Sequence, residues 1–172
     1  MSDPLRGGSS VLVLGLGNPL MGDDGFGLAV LARLGEQWEV PPAVALVDGG
    51  TWGMQLLPDI ETATHLLLLD AIDARRAPGE AVRLTREQLP RYFAHKLSPH
   101  QIDLREVLAL AELRETLPGE VVAIGAQPLV IELGTELSPP LAAAVDDAVA
   151  AAVAQLAEWG VHCVPRPAAC MS

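Results

Sequence analysis

The chain has 172 residues and a formal net charge of −11, from 11 Lys and Arg against 22 Asp and Glu. Phosphate backbones are gripped by basic side chains, so this balance, with no basic stripe, argues against a nucleic-acid partner. Half of the residues are hydrophobic but only 3% are aromatic, which calls for an aliphatic core. A single domain over 1–172 is long enough to fold without disulfide or metal staples.

The polar N-terminus MSDPLRGGSS has no apolar h-region. No stretch approaches the roughly 20 apolar residues of a membrane span, so neither a signal peptide nor membrane insertion is expected. Val11 to Leu16 is a continuous aliphatic run, the pattern of a strand buried on both faces. Gly25 to Gly35 places Phe26, Val30, Leu31 and Leu34 at helical spacing. Ala43 to Val47 reads as a second strand, closed by Asp48-Gly49-Gly50, and Thr51 to Leu57 as a short helix stopped by Pro58. His65 to Leu69 is a third buried strand, ending at Asp70, and Ala81 to Leu84 a fourth after an Ala-Pro-Gly turn.

Ser98-Pro99 starts a helix with Pro at its first position, running through Leu104, Val107, Leu108 and Ala111. Val121 to Ile124 is a strand, and Leu129 to Leu133 is read as a further short one. Ser138 caps the last helix, Leu141, Val145, Val149, Val153 and Leu156 form its stripe, and Gly160 ends it. The alternation predicts an α/β domain: a three-layer αβα arrangement around a mostly parallel twisted sheet of about five strands. Residues 10–162 form its expected ordered core, with loose termini. Cys163 and Cys170 match no zinc spacing and lie in the tail, which fits a reducing cytoplasmic compartment.

Acidic residues recur at one kind of position. Asp23 and Asp24 follow the first strand, Asp48 the second and Asp70 the third. Ligands of open α/β sheets bind beyond the carboxyl ends of the strands. A single such Asp is ordinarily a turn former or cap; three in succession line one rim. His65 and His162 read as structural, whereas His95 or His100, in YFAHKLSPHQ, could add an imidazole. Two carboxylates and an imidazole suit a first-row divalent ion such as Ni²⁺ or Zn²⁺ with positions left open. Gly15-Leu16-Gly17 begins a dinucleotide fingerprint, but Leu20 stands where the third glycine belongs, and carboxylates in that loop would repel phosphate.

GLGNPLMGDDGFG (15–27), VDGGTWGMQLL (47–57), HLLLLDAIDARRAPG (65–79) and KLSPHQ (96–101) together resemble the hydrogenase maturation endopeptidases, over roughly 10–162. The resemblance implies a phosphorylase/hydrolase-like fold and an aspartic or metal-dependent endopeptidase. Such an enzyme removes the C-terminal extension of the [NiFe] hydrogenase large-subunit precursor. Nickel would come with that precursor, and no organic cofactor is implied. Carried over by residue, the nickel ligands fall on Asp24, Asp70 and His100. Asp24 stands where relatives have either Glu or Asp. Asp48 is the candidate for a supporting acid/base or positioning role, against a plain turn-forming one. Asp23 is expected to shape its turn or cap the following helix. Two rivals remain: a nickel-binding maturation chaperone that cuts nothing, and a peptidyl-tRNA hydrolase-like enzyme, which shares VLGLGNP but expects a histidine where MGDDGFG stands. Oligomeric state is open, with a monomer as the working expectation.

Overall fold

The computed structural model describes residues 10–50, 53–90 and 99–168, with side chains in the last stretch from 104 onward. Thr51, His95 and Cys170, and the side chain of His100, lie outside what is described.

All six residues of β1 (Val11–Leu16) are buried, as a continuous aliphatic run requires when helices cover both faces of a sheet. After it come α1 (Phe26–Gln37), β2 (Trp38–Glu39), β3 (Val44–Gly50), α2 (Leu57–Thr62), β4 (His65–Ala71) and β5 (Ala81–Thr85). The chain closes with α3 (Pro99–Leu113), β6 (Glu120–Ala126), α4 (Pro139–Glu158) and β7 (Val164–Pro165). The main sheet has the order β3-β1-β4-β6-β5. Its first four strands are parallel, and β5 runs antiparallel to β6.

Strand periodicity sends alternate residues to opposite faces. Val11, Val13, Leu67 and Leu69 pack with Phe26, Val30 and Leu34 of α1 and with Leu141, Val145, Val149 and Leu156 of α4. Leu12, Leu14, Leu66 and Leu68 pack with Ile60 of α2 and with Leu104, Val107 and Ala111 of α3. The three-layer α/β fold with a mostly parallel five-stranded sheet is therefore as expected.

Boundaries differ where tertiary pairing extends an element. β3 and β4 run on to Gly50 and Ala71, so Asp48 and Asp70 lie inside their strands, paired in register with Gly15 and Gly125. Neighbouring parallel strands supply ladder partners that hold a polar residue in extended geometry. Pro58 does not stop a helix; it sits in the first turn of α2, where a missing N–H costs nothing. Leu129–Leu133 forms no strand and stays exposed. The tail is docked further than expected. β7 pairs with β2, and Arg166 donates through Nε to the carbonyls of Gly35 and Trp38 at 3.1 and 3.2 Å.

At 20 residues, α4 is long and apolar enough to cross a membrane by length and composition, contrary to the reading of the sequence. Here its apolar stripe lies on the sheet, and Asp146 and Asp147 are exposed on the opposite side.

From β1 the chain goes to β3 on one side and then returns to β4 on the other. That reversal opens a crevice at the carboxyl ends of β1 and β4, the usual ligand position in this architecture.

Candidate active site at the β1–β4 switch point

The loop leaving β1 is built to turn a carboxylate back onto the strand end. Gly17 has φ +113°, and a Cβ there would overlap the Asp24 carbonyl, so only glycine lets the two segments meet. Asn18 then makes a side-chain turn, its Oδ1 accepting the Leu20 N–H at 2.9 Å. The chain tightens into a 3-10 turn, Gly22–Gly25. Within it Asp24 is 1% exposed, and its Oδ2 accepts the Asn18 N–H at 2.9 Å. Gly27 follows in the first turn of α1, where a Cβ would collide with the carbonyls of Leu69 and Leu16. Its absence seats the start of α1 against the ends of β1 and β4.

Asp70 is 2% exposed and belongs to β4, on which the Gly22–Gly25 turn packs. Its parity with Leu66 and Leu68 turns it to the face covered by α2 and α3. A short connection leads from α3 into Glu120, which pairs with His65 at the opposite edge of the sheet. The C-terminal end of α3 therefore lies at that far edge. Since 15 residues of helix span about 22 Å, its first turn, which contains His100, lies at the rim of Asp70. Among the described residues no three His, Cys, Asp or Glu side chains converge on one point, and the His100 imidazole lies outside that set. The structure thus brings Asp24 and Asp70 to one rim and carries the backbone of His100 towards it.

Asp48 stands apart. It is exposed on the edge strand β3, and its register with Gly15 gives it the parity of Val11 and Val13. Its side chain therefore emerges on the α1 face of the sheet, opposite to Asp70.

Asp23 neither caps α1 nor merely shapes its own turn. It is 1% exposed and binds a distant loop. Oδ1 accepts the Ser138 N–H at 2.7 Å, while Oδ2 accepts the Ser138 hydroxyl at 2.8 Å and the Leu129 and Val130 N–H groups at 2.9 and 3.2 Å. Ser138 does occupy the N-cap position of α4, but its side chain makes no cap bond and goes to Asp23 instead. Burial is the largest single influence on the Asp23 carboxyl and raises its pKa. The donated hydrogen bonds, Ser138 first, together outweigh it and leave the group below its ordinary value.

Gln127, missed in the sequence, fixes the loop after β4. Its Oε1 accepts the Ala74 and Arg76 N–H groups at 2.8 and 3.1 Å, and its Nε2 donates to Asp73 Oδ1 at 3.0 Å. The rule that found the aspartates, a polar residue at the end of an apolar strand, points equally to Gln127 at the end of β6. Arg75 is held at φ 57° between these bonds.

A family model described as hydrogenase maturation protease matches residues 28–155. The hydrogenase expression/formation protein HupD of Rhodobacter capsulatus is 40% identical over 154 residues, 88% of this chain and 73% of that protein. The hydrogenase 2 maturation protease of Escherichia coli K12 is 36% identical over 159 residues, 92% of this chain and 97% of that protein. The solved structure of the E. coli hydrogenase maturating endopeptidase HybD superposes with a TM-score of 0.87 at 35% identity, covering 91% of this chain and 98% of that one. The matched span, the identities over nearly full length and the shared three-layer fold establish that this chain belongs to the hydrogenase maturation protease family.

Proposed function

We propose that this protease removes the C-terminal extension of a [NiFe] hydrogenase large-subunit precursor after nickel has been inserted. The precursor's nickel would be its recognition element. The observation that carries the reading is the pair of buried carboxylates, Asp24 and Asp70, delivered to the β1–β4 switch point by adjacent elements. Two carboxylates held away from water on one rim favour a divalent cation, and oxygen donors with an imidazole suit nickel among first-row ions. His100 is the third ligand in this reading, since α3 starts at the same rim.

Asp24, Asp70 and His100 complete the coordination of a nickel ion already held by the precursor. The scissile peptide is thereby fixed at the rim, and entropy otherwise lost in the reaction is lost on binding. Nickel held by these residues would supply Lewis-acid polarisation of the scissile carbonyl or of a bound water. Water adds to the carbonyl carbon, the C–N bond breaks, and the amine leaves with a proton. A precursor without nickel lacks the anchoring bonds, so selectivity is a difference of affinities.

The test is cleavage of purified precursor, followed by intact mass, with and without nickel. Shortening of the loaded form only is expected. Equal rates on both would refute the checkpoint, and loaded precursor bound without shortening would make the chain a metal-handling chaperone. Asp48, exposed on the opposite face of the sheet, lies outside the ligand set and serves to position the bound chain. Loss of a general base costs about a hundredfold or more. Asp48→Asn in the same assay is expected to cost about tenfold or less in kcat/KM, and a loss above a hundredfold would instead make Asp48 the base.

A further inference from the structure

The Leu129–Leu133 segment looks like a strand in sequence because four of its five residues are apolar and two of them, Val130 and Ile131, are β-branched. In the structure it pairs with nothing in the main sheet and turns its side chains outward. Leu129, Val130, Ile131 and Leu133 are 54%, 41%, 46% and 87% exposed, and Leu20 beside them is 57% exposed. Apolar side chains concentrated at the surface in this way mark interaction sites in soluble proteins.

The segment is fixed rather than free. Asp23 holds the N–H groups of Leu129 and Val130. The Gly134 N–H donates to the Leu20 carbonyl at 2.9 Å, and the Gly22 N–H donates to the Gly134 carbonyl at 2.8 Å. A surface ordered before binding loses little entropy when a partner arrives. The same four-residue turn, Gly22–Gly25, carries both the anchor of the strip and the candidate ligand Asp24. The strip is therefore tied by hydrogen bonds to the turn that carries the site.

We infer that this strip is the docking surface for the folded body of the precursor, which meets it through an apolar face bordered by neutral or basic residues. The inference rests on the function proposed above. A protein interface covers about 800 Å² on each partner, so a body that carries a metal to Asp24 also reaches the strip. Charge selects the occupant. Glu132 and Glu136 are exposed within and beside the strip, and the chain carries −11. A second copy would oppose acid to acid across the contact, whereas a neutral or basic rim is attracted.

The test uses the full chain and the nickel-loaded precursor, and reads dissociation constant, KM and kcat separately. The triple variant Leu129→Ser/Ile131→Ser/Leu133→Ser is expected to raise the dissociation constant and KM about tenfold or more, with kcat at saturation changed less than threefold. Leu113→Ser removes an equally exposed leucine, 81% exposed at the end of α3, and is expected to change none of these. Glu132→Lys/Glu136→Lys, which alters no packing, is expected to slow association several-fold at low salt. The inference is overturned by unchanged binding in the triple variant or by the same loss in Leu113→Ser. It is also overturned if the wild type proves to be a dimer that the triple variant dissolves without affecting precursor binding. If the wild type binds the loaded precursor but never shortens it, the proposed activity fails and the binding comparison still reads the strip.

Discussion

Asp70→Asn is expected to abolish processing of the nickel-loaded precursor, with kcat/KM reduced at least about a thousandfold, or about 4 kcal/mol. The change is isosteric at a site that is 2% exposed, so it removes charge and donor strength without opening a cavity. Its thermal midpoint should stay within a few degrees of wild type, a shift of about 1 kcal/mol or less at this length. Asp24→Ala should be as inactive, with an added loss of stability because the Asn18 N–H loses its acceptor. Asp24→Glu lengthens the ligand by one methylene at a position where the resemblance allows either acid. Activity within tenfold of wild type is expected from it. Direct binding gives the second reading: the inactive variants should discriminate poorly between nickel-loaded and nickel-free precursor, measured without turnover. An Asp70→Asn protein that still processes at more than a tenth of the wild-type rate would remove Asp70 from the ligand set.

The second large effect belongs to the neighbouring aspartate and to stability. Asp23→Asn replaces an acceptor of four hydrogen bonds by a group with one acceptor and two donors, facing groups that donate. A loss of about 3 kcal/mol and roughly 10 °C in the thermal midpoint is expected, by calorimetry or denaturant titration. The sign of the pH dependence follows from the depressed folded-state pKa. The stability contributed by ionised Asp23 is fully present above its unfolded-state pKa of about 3.9 and disappears as pH falls through the lower folded value. The gap between wild type and Asp23→Asn should therefore be constant from pH 7 to about 5 and narrow below about pH 4. A gap independent of pH down to the acid transition would show that the Asp23 charge contributes nothing. Because this carboxylate also holds the 129–138 loop beside the turn of Asp24, the variant links stability to the geometry of the site.

Two adjacent aspartates thus carry separate tasks, and no local rule divides them. In GDDG both side chains are two bonds from a 3-10 backbone and both are buried at 1%. Asp23 turns to a loop more than a hundred residues away, and Asp24 turns back to Asn18. The resemblance singles out Asp24, but the task of Asp23 is legible only from the loop that meets it. The same holds for Asp48 and Asp70, which look equivalent as acids at strand ends. Their register against β1 puts them on opposite faces of the sheet. A single residue of register decides this, because side chains alternate with a period of two.

Legible along the chain were the features that repeat: the fully apolar runs of β1 and β4 and the stripe of α4. These follow from burial on two faces and helical periodicity, both local to the chain. Together they set the three-layer class and the strand ends beside which Asp24 and Asp70 lie, whereas Asp48, read onto the same rim, emerges on the other face of the sheet. Strand order, the antiparallel β5, the docking of Arg166 and the outward turn of Leu129–Leu133 emerge only on folding. Each of those depends on a partner distant in sequence. An apolar run reads the same whether a sheet neighbour covers it or a buried carboxylate pins its backbone and leaves it facing water.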